Sequence, residues 1–372
     1  MTINKAAGII FANIHDGDVP ELTANRTLAS VPFGGRYRLV DFPLSSMASS
    51  SITKVGIITK QNYQSLMDHI GSGKSWDLSR KNGGIILLPP YAQTKSIYNT
   101  RFEAIAGIAT FIKRCTEDYI VMSDCDNVCN FDFNAAIEYH KEKNADITAV
   151  YRRRVFDVAS SRPHTLMDID AAGRVTKVES VSKPSSGEKC FFTNMLVISR
   201  RFLLSMLGEG KQYTSFSKDI LKKTSDYRIF GYELTGYYSC IDSLPSFLRH
   251  NLDLLKKENR DLLFKKQSGA TILTKVRDSA PLRIENGSRV TNSLIADGCV
   301  IEGEVKNSIL FRGVRVAKGA TVTNSVVMQD VSISMHSNVN SCIIDKNAII
   351  LDKRNLSGHA THPYFIAKNA VI

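Results

Sequence analysis

The 372-residue chain contains no apolar run that approaches the roughly 20 residues of a membrane-spanning helix. The first residues, MTINKAAGIIF, include too short an apolar stretch for a signal peptide. We therefore expect neither a membrane partner nor secretion. The seven cysteines are odd in number and scattered along the chain, which is typical of a reducing compartment. The sequence thus predicts a cytoplasmic protein.

Signals for zinc and for nucleic acid are also weak. Cys125 and Cys129 have the spacing C-x₃-C but lack a second pair, so we do not expect a zinc site. The net charge of +12 comes from 48 basic and 36 acidic residues, yet the basic residues are dispersed and no stripe interleaved with aromatics accompanies them. Nucleic acid is therefore not expected as a partner. Binding of an anionic small molecule or of an acidic partner subunit would explain the positive net charge better than binding of nucleic acid.

In the first two thirds of the chain, short apolar runs alternate with segments of helical periodicity. This alternation predicts a mostly parallel sheet covered by helices. The strand-like runs are 7–11, 55–59, 84–88, 119–122 and 147–150, and the helical segments are 61–70, 101–113, 133–143 and 243–258.

From Ile284 onward the pattern changes to a short repeat. An Asn-Ser step followed by apolar residues recurs every 15 to 17 residues, at 292, 307, 324 and 340. Short Gly-x-x-[Ile/Val] units lie between these steps. Such a period predicts a solenoid of stacked triangular coils, and an ordinary β-sandwich fits it poorly.

The segment VPFGGRYRLVDFPLS at 31–45 resembles a block shared by sugar-1-phosphate nucleotidylyltransferases, most closely the ADP-glucose pyrophosphorylases. The resemblance covers nearly the whole chain. It implies a Rossmann-like α/β domain of the GT-A type over 1–255, a linker over 256–283, and a left-handed parallel β-helix over 284–372. The reaction of that family joins ATP and glucose 1-phosphate to give ADP-glucose and pyrophosphate.

The phosphate-binding loop of that family, G-G-x-G-x-R-L, is not conserved here in its chemistry. Aligned without a gap, its glycines fall on Asn13, Ile14 and Asp16, and its arginine falls on Asp18. Leu28 replaces the lysine of the following A-K-P-A-V motif. Glycines let backbone N–H groups approach phosphates, and a cation stabilises the charge of the transferring group. We interpret these degenerate positions as a lost triphosphate site, with Asp16 and Asp18 adding repulsion.

The resemblance implies a pair of carboxylates that hold Mg²⁺ in the family. Asp126 matches the first of them. Counting back from Ile241 and Asp242 puts Tyr237 at the second. One carboxylate holds Mg²⁺ weakly, so we interpret Asp126 as a vestigial catalytic residue and expect no metal or cofactor, with Mg²⁺ relevant only if residual activity remains.

Other family positions are partly kept. Glu103 matches a substrate-binding aspartate, and Lys183 matches the lysine that meets the sugar phosphate. Arg26 and Arg38 match basic residues that contact phosphorylated effectors in bacterial members. Their alternative role is that of hydrogen-bond donors that stabilise the fold.

These features imply a non-catalytic or weakly catalytic regulatory subunit in glycogen biosynthesis. The expected partners are a catalytic homologue, in a hetero-tetramer, and a phosphorylated effector. One alternative is an active sugar-1-phosphate nucleotidylyltransferase with an atypical loop. Another is a β-helix acyltransferase, for which His336 within the coils would be the candidate histidine.

Overall fold

A computed structural model describes residues 5–90, 98–156, 162–183, 185–208, 213, 215–265 and 271–372. Strands of the first part are β1 (Ala6–Phe11), β2 (Pro32–Phe33), β3 (Tyr37–Arg38), β4 (Lys54–Ile58), β5 (Gly84–Leu88), β6 (Tyr119–Asp124), β7 (Asn127–Cys129), β8 (Ile147–Phe156), β9 (His164–Ile169), β10 (Val175–Val181), β11 (Ser185–Ser199), β12 (Ile229–Glu233) and β13 (Tyr238–Cys240). Helices are α1 (Pro20–Thr23), α2 (Asp41–Ser49), α3 (Gln64–Ile70), α4 (Arg101–Gly107), α5 (Ala109–Arg114), α6 (Phe133–Glu142), α7 (Arg200–Gly208), α8 (Leu244–Asp253) and α9 (Lys257–Phe264). Short 3₁₀ turns lie at Asp16–Asp18, Leu28–Ser30 and Lys74–Trp76, and a π-helical turn lies at Phe216–Leu221.

In the part of the chain that the structure describes, nine strands form the main sheet, with the path β10-β9-β11-β6-β1-β4-β5; β8 pairs with β11 and β12 beside it. Strands β6, β1, β4 and β5 are mutually parallel, whereas β11 is antiparallel to β6. The predicted strand runs all lie in this sheet. The predicted helix over 101–113 is instead two helices, α4 and α5, which meet at Ile108.

Both faces of β1 are buried, which accounts for its unbroken apolar sequence. Ile9 and Phe11 belong to one hydrophobic cluster, and Ile10 belongs to another on the opposite face. Helix α2 packs closely against Gly8: a Cβ atom there would lie 2.5 Å from Met47 Sδ, so the flexible Met47 side chain would have to shift. The sheet is therefore the core that positions the loops at its ends.

The second part is a left-handed parallel β-helix with three sheets, one for each side of the coil. In three of the four Asn-Ser steps, at 292, 307 and 324, the asparagine has a positive φ of 42°, 47° and 49°, respectively; in the fourth step, the positive φ of 51° is that of Ser341. Asparagine tolerates this left-handed conformation better than other non-glycine residues, which explains the repeat. The three sheets are β14 (Arg283–Ile284), β17 (Val300–Ile301), β20 (Arg315–Val316), β23 (Ser332–Ile333) and β26 (Ile349–Ile350); β15 (Arg289–Thr291), β18 (Glu304–Lys306), β21 (Thr321–Thr323), β24 (Asn338–Asn340) and β27 (Asn355–Ser357); and β16 (Leu294–Ile295), β19 (Ile309–Leu310), β22 (Val326–Val327), β25 (Cys342–Ile344) and β28 (Tyr364–Ile366).

The third of these sheets lies against the first part of the chain. Phe311 and Met328 share a hydrophobic cluster with Phe33 and Phe247, and all four side chains are buried. The segment predicted as a linker begins with α9, whose Phe264 ring stacks on Tyr37 at a centroid distance of 5.0 Å. The start of the linker is thus part of the packing between the two parts of the chain.

Among the described helices, none has the length and apolarity needed to cross a membrane.

Candidate functional site

The site lies where the parallel strands β1 and β6 end. Asp124 is the last residue of β6 and pairs in register with Phe11 of β1, while Asp126 follows two residues later. His15 follows β1 in the next loop. Because carboxyl ends of parallel strands meet at one edge of the sheet, the three polar residues converge there. His15 Nε2 lies 2.8 Å from Asp124 Oδ2 and 3.6 Å from Asp126 Oδ2, and both aspartate side chains are fully buried.

Two arginines complete this arrangement. The Arg101 guanidinium donates to both carboxylate oxygens of Asp124, with a distance of 3.1 Å from Nε to Oδ1. The Arg162 guanidinium donates to Asp126 through Nη2, and its Nη1 lies 2.7 Å from Asp18 Oδ2. His15 Nδ1 lies 3.1 Å from the same Asp18 oxygen. We call this set the ionic cluster: His15, Asp18, Arg101, Asp124, Asp126 and Arg162.

The pKa shifts follow the contacts in the cluster. Burial alone would raise the pKa of Asp124, but the charge of Arg101 and the hydrogen bond from His15 hold it well below its usual value. The pKa of Asp18 is likewise lowered, since His15 and Arg162 outweigh its partial burial. Burial and Arg162 oppose the protonation of His15, yet the surrounding aspartates raise its pKa. Two guanidinium groups and the His15 imidazole therefore face three carboxylates, and the two guanidinium charges offset most of the negative charge.

This balance corrects the interpretation of Asp18 as a source of repulsion. Its carboxylate is paired with Arg162 and His15 and does not present an uncompensated charge. Leu28, which stands where the family has a lysine, is 1% exposed in the hydrophobic cluster between the two parts of the chain. A lysine at this position would have to place its ammonium group in that cluster.

Hydrogen bonds made by side chains hold the loop after β1, at the position where the family has its glycine-rich loop. Asp16 Oδ1 accepts from the backbone N–H of Leu28 at 2.8 Å, and Asn13 Nδ2 donates to Asp16 Oδ2 at 2.5 Å. Asn13 Oδ1 accepts from the N–H of Lys60 at 2.9 Å. Burial raises the pKa of Asp16 to about 6. Ile14 is half-buried against the main core. Asn13 and Asp16 therefore stabilise the turn itself.

The assignment of Tyr237 to the second carboxylate position is wrong in this structure. Pairing of β13 with β7 places Cys240 opposite Asn127, and Cys240 Sγ lies 3.4 Å from Asp126 Oδ2. Tyr237 instead packs against the cluster between the two parts. The register of β13 on β7 decides which residue faces Asp126, and counting from Ile241 could not reveal that register.

The residues at this position do not fit Mg²⁺. Ligand atoms of His15, Asp124 and Asp126 lie within 4.8 Å of one another, which is compatible with a small cation. However, both carboxylates are already engaged by guanidinium groups, and the side chain facing Asp126 is the thiol of Cys240. Mg²⁺ prefers oxygen ligands in a regular octahedron. We therefore derive no chemistry through Mg²⁺ here.

The predicted substrate residues lie outside the cluster. Glu103 accepts hydrogen bonds from the N–H groups of Asn99 and Thr100, at 2.7 and 3.2 Å, and so forms a capping box at the start of α4. Its neighbour Arg101 is the residue of this motif that enters the cluster. Lys183 is exposed on the loop after β10. The structure thus brings Asp18 and Asp126 together but places Glu103 and Lys183 elsewhere.

A basic cavity of about 190 Å³ adjoins the ionic cluster. The Arg154 guanidinium lies 4.4 Å from the ring centroid of Phe191, and its buried Nε has no hydrogen-bond partner among the described residues. Arg162 belongs to none of the motifs identified in the sequence, and it reaches Asp18 across 144 residues of chain. The basic residues that line the cavity are His15, Arg101, Arg154, Arg162, His164 and Lys222.

Arg26 and Arg38 lie between the two parts of the chain, and both are buried. Arg26 donates to Asp345 of the β-helix, in an ion pair whose side chains are 4% and 3% exposed. Arg38 Nη1 donates to the carbonyl oxygen and the hydroxyl of Ser65, at 2.6 and 2.8 Å. Both arginines therefore act as donors within the fold, and their effector role stays a prediction.

Lys346 lies close to Arg26 and Arg38. Burial and repulsion by Arg38 and Arg26 lower its pKa to about 7, and Arg277 adds to the effect. We call Arg26, Arg38, Arg277 and Lys346 the interdomain basic cluster.

In the β-helix, His336 is exposed at a corner of the coil with a φ of 58°. The acyltransferase alternative stays a hypothesis.

Residues 19–233 match the model of the nucleotidyl transferase family, and residues 281–360 match the GlmU-like C-terminal hexapeptide model. The chain belongs to the nucleotidyl transferase family. It is 31% identical to the "Glycogen biosynthesis protein GlgD" of Bacillus subtilis (strain 168), over 99% of this chain and 97% of that protein. It is 30% identical to the "Glucose-1-phosphate adenylyltransferase" of Clostridium perfringens (strain SM101 / Type A), over 90% of this chain and 87% of that enzyme. Its relatives in this family thus include a glycogen biosynthesis protein and a glucose-1-phosphate adenylyltransferase.

Proposed function

We propose that this chain is a non-catalytic or very weakly catalytic regulatory subunit of glucose-1-phosphate adenylyltransferase. It associates with a catalytic homologue and changes the kinetics of ADP-glucose formation. The observation that carries the proposal is the ionic cluster. Arg101 and Arg162 occupy the carboxylates at the place where catalysis would need a metal, and Cys240 faces Asp126 where a second carboxylate would be needed.

The β-helix supports the association. A solenoid leaves flat faces whose exposed side chains include apolar residues, and on the first sheet of the coil Ile284 and Ile349 are 51% and 41% exposed. Such surfaces are suited to burial against another subunit. The proposed assembly is a hetero-tetramer with the catalytic homologue, and its location is the cytoplasm.

Mixing this chain with a catalytic homologue tests the association. We expect one complex in sedimentation velocity and a change of about 5- to 150-fold in the apparent substrate or effector affinity of the homologue, the range typical of coupling between sites. An Ile284→Asp/Ile349→Asp variant should weaken the complex, because it places charge on the exposed apolar face. An exposed-site control, Lys368→Asp, should not. Unchanged kinetics at concentrations where sedimentation shows the complex would contradict the regulatory role.

We further propose that a phosphorylated effector binds at the interdomain basic cluster. Burial and two neighbouring arginines leave Lys346 with a pKa of about 7, and a bound dianion would relieve the repulsion between these cations. Asp345 opposes this repulsion but is already paired with Arg26. An effector at this position would contact both parts of the chain and could bias their packing.

The pH dependence of sulfate binding provides a prediction for this site. Sulfate keeps its charge between pH 6 and 8.5, whereas Lys346 loses its proton as the pH rises through about 7. Binding raises the pKa of Lys346, so at higher pH the protein must take up a proton. We therefore expect sulfate affinity, measured by calorimetry, to fall by up to about tenfold over this range. This limit corresponds to a rise of about one unit in the pKa of Lys346 on binding, since one pKa unit corresponds to a factor of ten.

Two lysine variants serve as controls for that titration. Lys346→Met should bind sulfate more weakly at pH 6 and should remove the pH dependence. Lys368→Met, at an exposed position of the same β-helix, should behave as the parent protein does. Sulfate affinity that is independent of pH, or that Lys346→Met leaves unchanged, would rule out this effector site.

A further inference from the structure

Arg162 is the residue in contact with most of the groups that a metal would need. Its Nη2 donates to Asp126 and lies 3.0 Å from Cys240 Sγ, while its Nη1 lies 2.7 Å from Asp18 Oδ2. The side chain is 13% exposed, and Asp126 is fully buried. The guanidinium therefore joins the end of β6, the loop after β1 and the end of β13.

Arg101 has a different position in the cluster. It binds both oxygens of Asp124 from the side of α4, and its Nη2 lies 3.0 Å from His15 Nε2, but it does not contact Asp126 or Cys240 among the described residues. A bidentate guanidinium–carboxylate pair of this kind holds one carboxylate in place. Arg162 instead lies between separate acidic groups, which is the arrangement that a bridging cation requires.

We propose that the guanidinium of Arg162 is a built-in replacement for a divalent cation. It occupies the position between Asp126, Asp18 and Cys240 and thereby excludes metal ions from a latent site made of His15, Asp124 and Asp126. A guanidinium carries a fixed charge and cannot dissociate from the chain, so the site stays compensated whatever the metal concentration. This inference goes beyond the regulatory role, since it concerns what the site binds and not which subunit the chain accompanies.

Mn²⁺ is a suitable probe because His15 and two carboxylates offer nitrogen and oxygen ligands that this ion accepts. The full chain is titrated with Mn²⁺ at pH 8, and free Mn²⁺ is followed by electron paramagnetic resonance. We expect Arg162→Ala to bind one Mn²⁺ at least about tenfold more tightly than the parent chain, because the positive charge that contacts Asp126 is removed. Adding Asp126→Asn to Arg162→Ala should abolish the gain.

Matched variants separate this effect from a general change of charge. Arg153→Ala removes an arginine that is 51% exposed and paired with Glu233, so Mn²⁺ affinity should not change. Arg162→Lys keeps the charge and should bind Mn²⁺ much more weakly than Arg162→Ala does. Circular dichroism monitors folding, and Arg162→Gln replaces Arg162→Ala if the latter does not fold.

Equal Mn²⁺ affinity of the parent chain and the Arg162 variant, including no binding by either, overturns the proposal. The same holds if Arg153→Ala gains as much affinity as Arg162→Ala. The titration does not involve the catalytic homologue. It can therefore fail while the regulatory role stands, and the reverse is equally possible.

Discussion

The purified chain alone is expected to form ADP-glucose no faster than its own Asp126→Asn variant. Two contacts that stabilise the transition state of nucleotidyl transfer are missing. The thiol of Cys240 faces Asp126 where the proposed function requires a second carboxylate, and Arg162 is paired with Oδ2 of Asp126. Loss of one such contact typically lowers the rate about 10²- to 10³-fold. Both losses together should bring kcat below about 10⁻³ s⁻¹, from the roughly 10 s⁻¹ of a typical enzyme.

The assay uses saturating ATP, glucose 1-phosphate and Mg²⁺, and a catalytic glucose-1-phosphate adenylyltransferase measured in parallel as the positive control. Asp126→Asn sets the background, because it removes the one carboxylate of the proposed pair that this chain retains. A turnover above about 1 s⁻¹ that Asp126→Asn abolishes would identify the chain as an active enzyme with an atypical loop.

Arg26→Ala is expected to destabilise the packing between the two parts of the chain by about 3–5 kcal/mol, the cost of leaving one partner of a buried ion pair alone. Arg26 donates to Asp345, and the two side chains are 4% and 3% exposed. Without the guanidinium, Asp345 would remain buried next to Lys346 with its strongest partner missing. Urea denaturation followed by tryptophan fluorescence and circular dichroism measures the loss.

Two comparisons show whether the loss comes from the unpaired charge. The double variant Arg26→Met/Asp345→Leu removes both charges and should recover most of the stability, because apolar pairs of similar volume often replace buried ion pairs without loss. Lys141→Ala breaks a surface pair with Glu138, whose side chains are 31% and 58% exposed, and should change stability by less than about 1 kcal/mol. If Arg26→Ala costs no more than Lys141→Ala, the ion pair does not hold the two parts together.

Local patterns in the sequence were enough to predict both architectures. Residues 6–11 are apolar at every position because both faces of β1 are buried, and such a run indicates a central parallel strand. The Asn-Ser steps from 292 onward recur because each coil needs a residue that tolerates a positive φ at one corner. These requirements depend on neighbours in the chain, so the sequence displays them directly.

The chemistry of the site depends on contacts that local patterns do not contain. Arg162 meets Asp18 and Asp126 only because β1 and β6 end side by side. The register of β13 on β7 placed Cys240, and not Tyr237, against Asp126. Likewise, the packing of the β-helix on the first part turned Arg26 into the partner of Asp345. The sequence by itself determined the fold and the loss of the glycine loop. Only the tertiary structure decided that Asp18 is paired with Arg162, because this charge compensation depends on the distance between two residues that lie 144 positions apart in the chain.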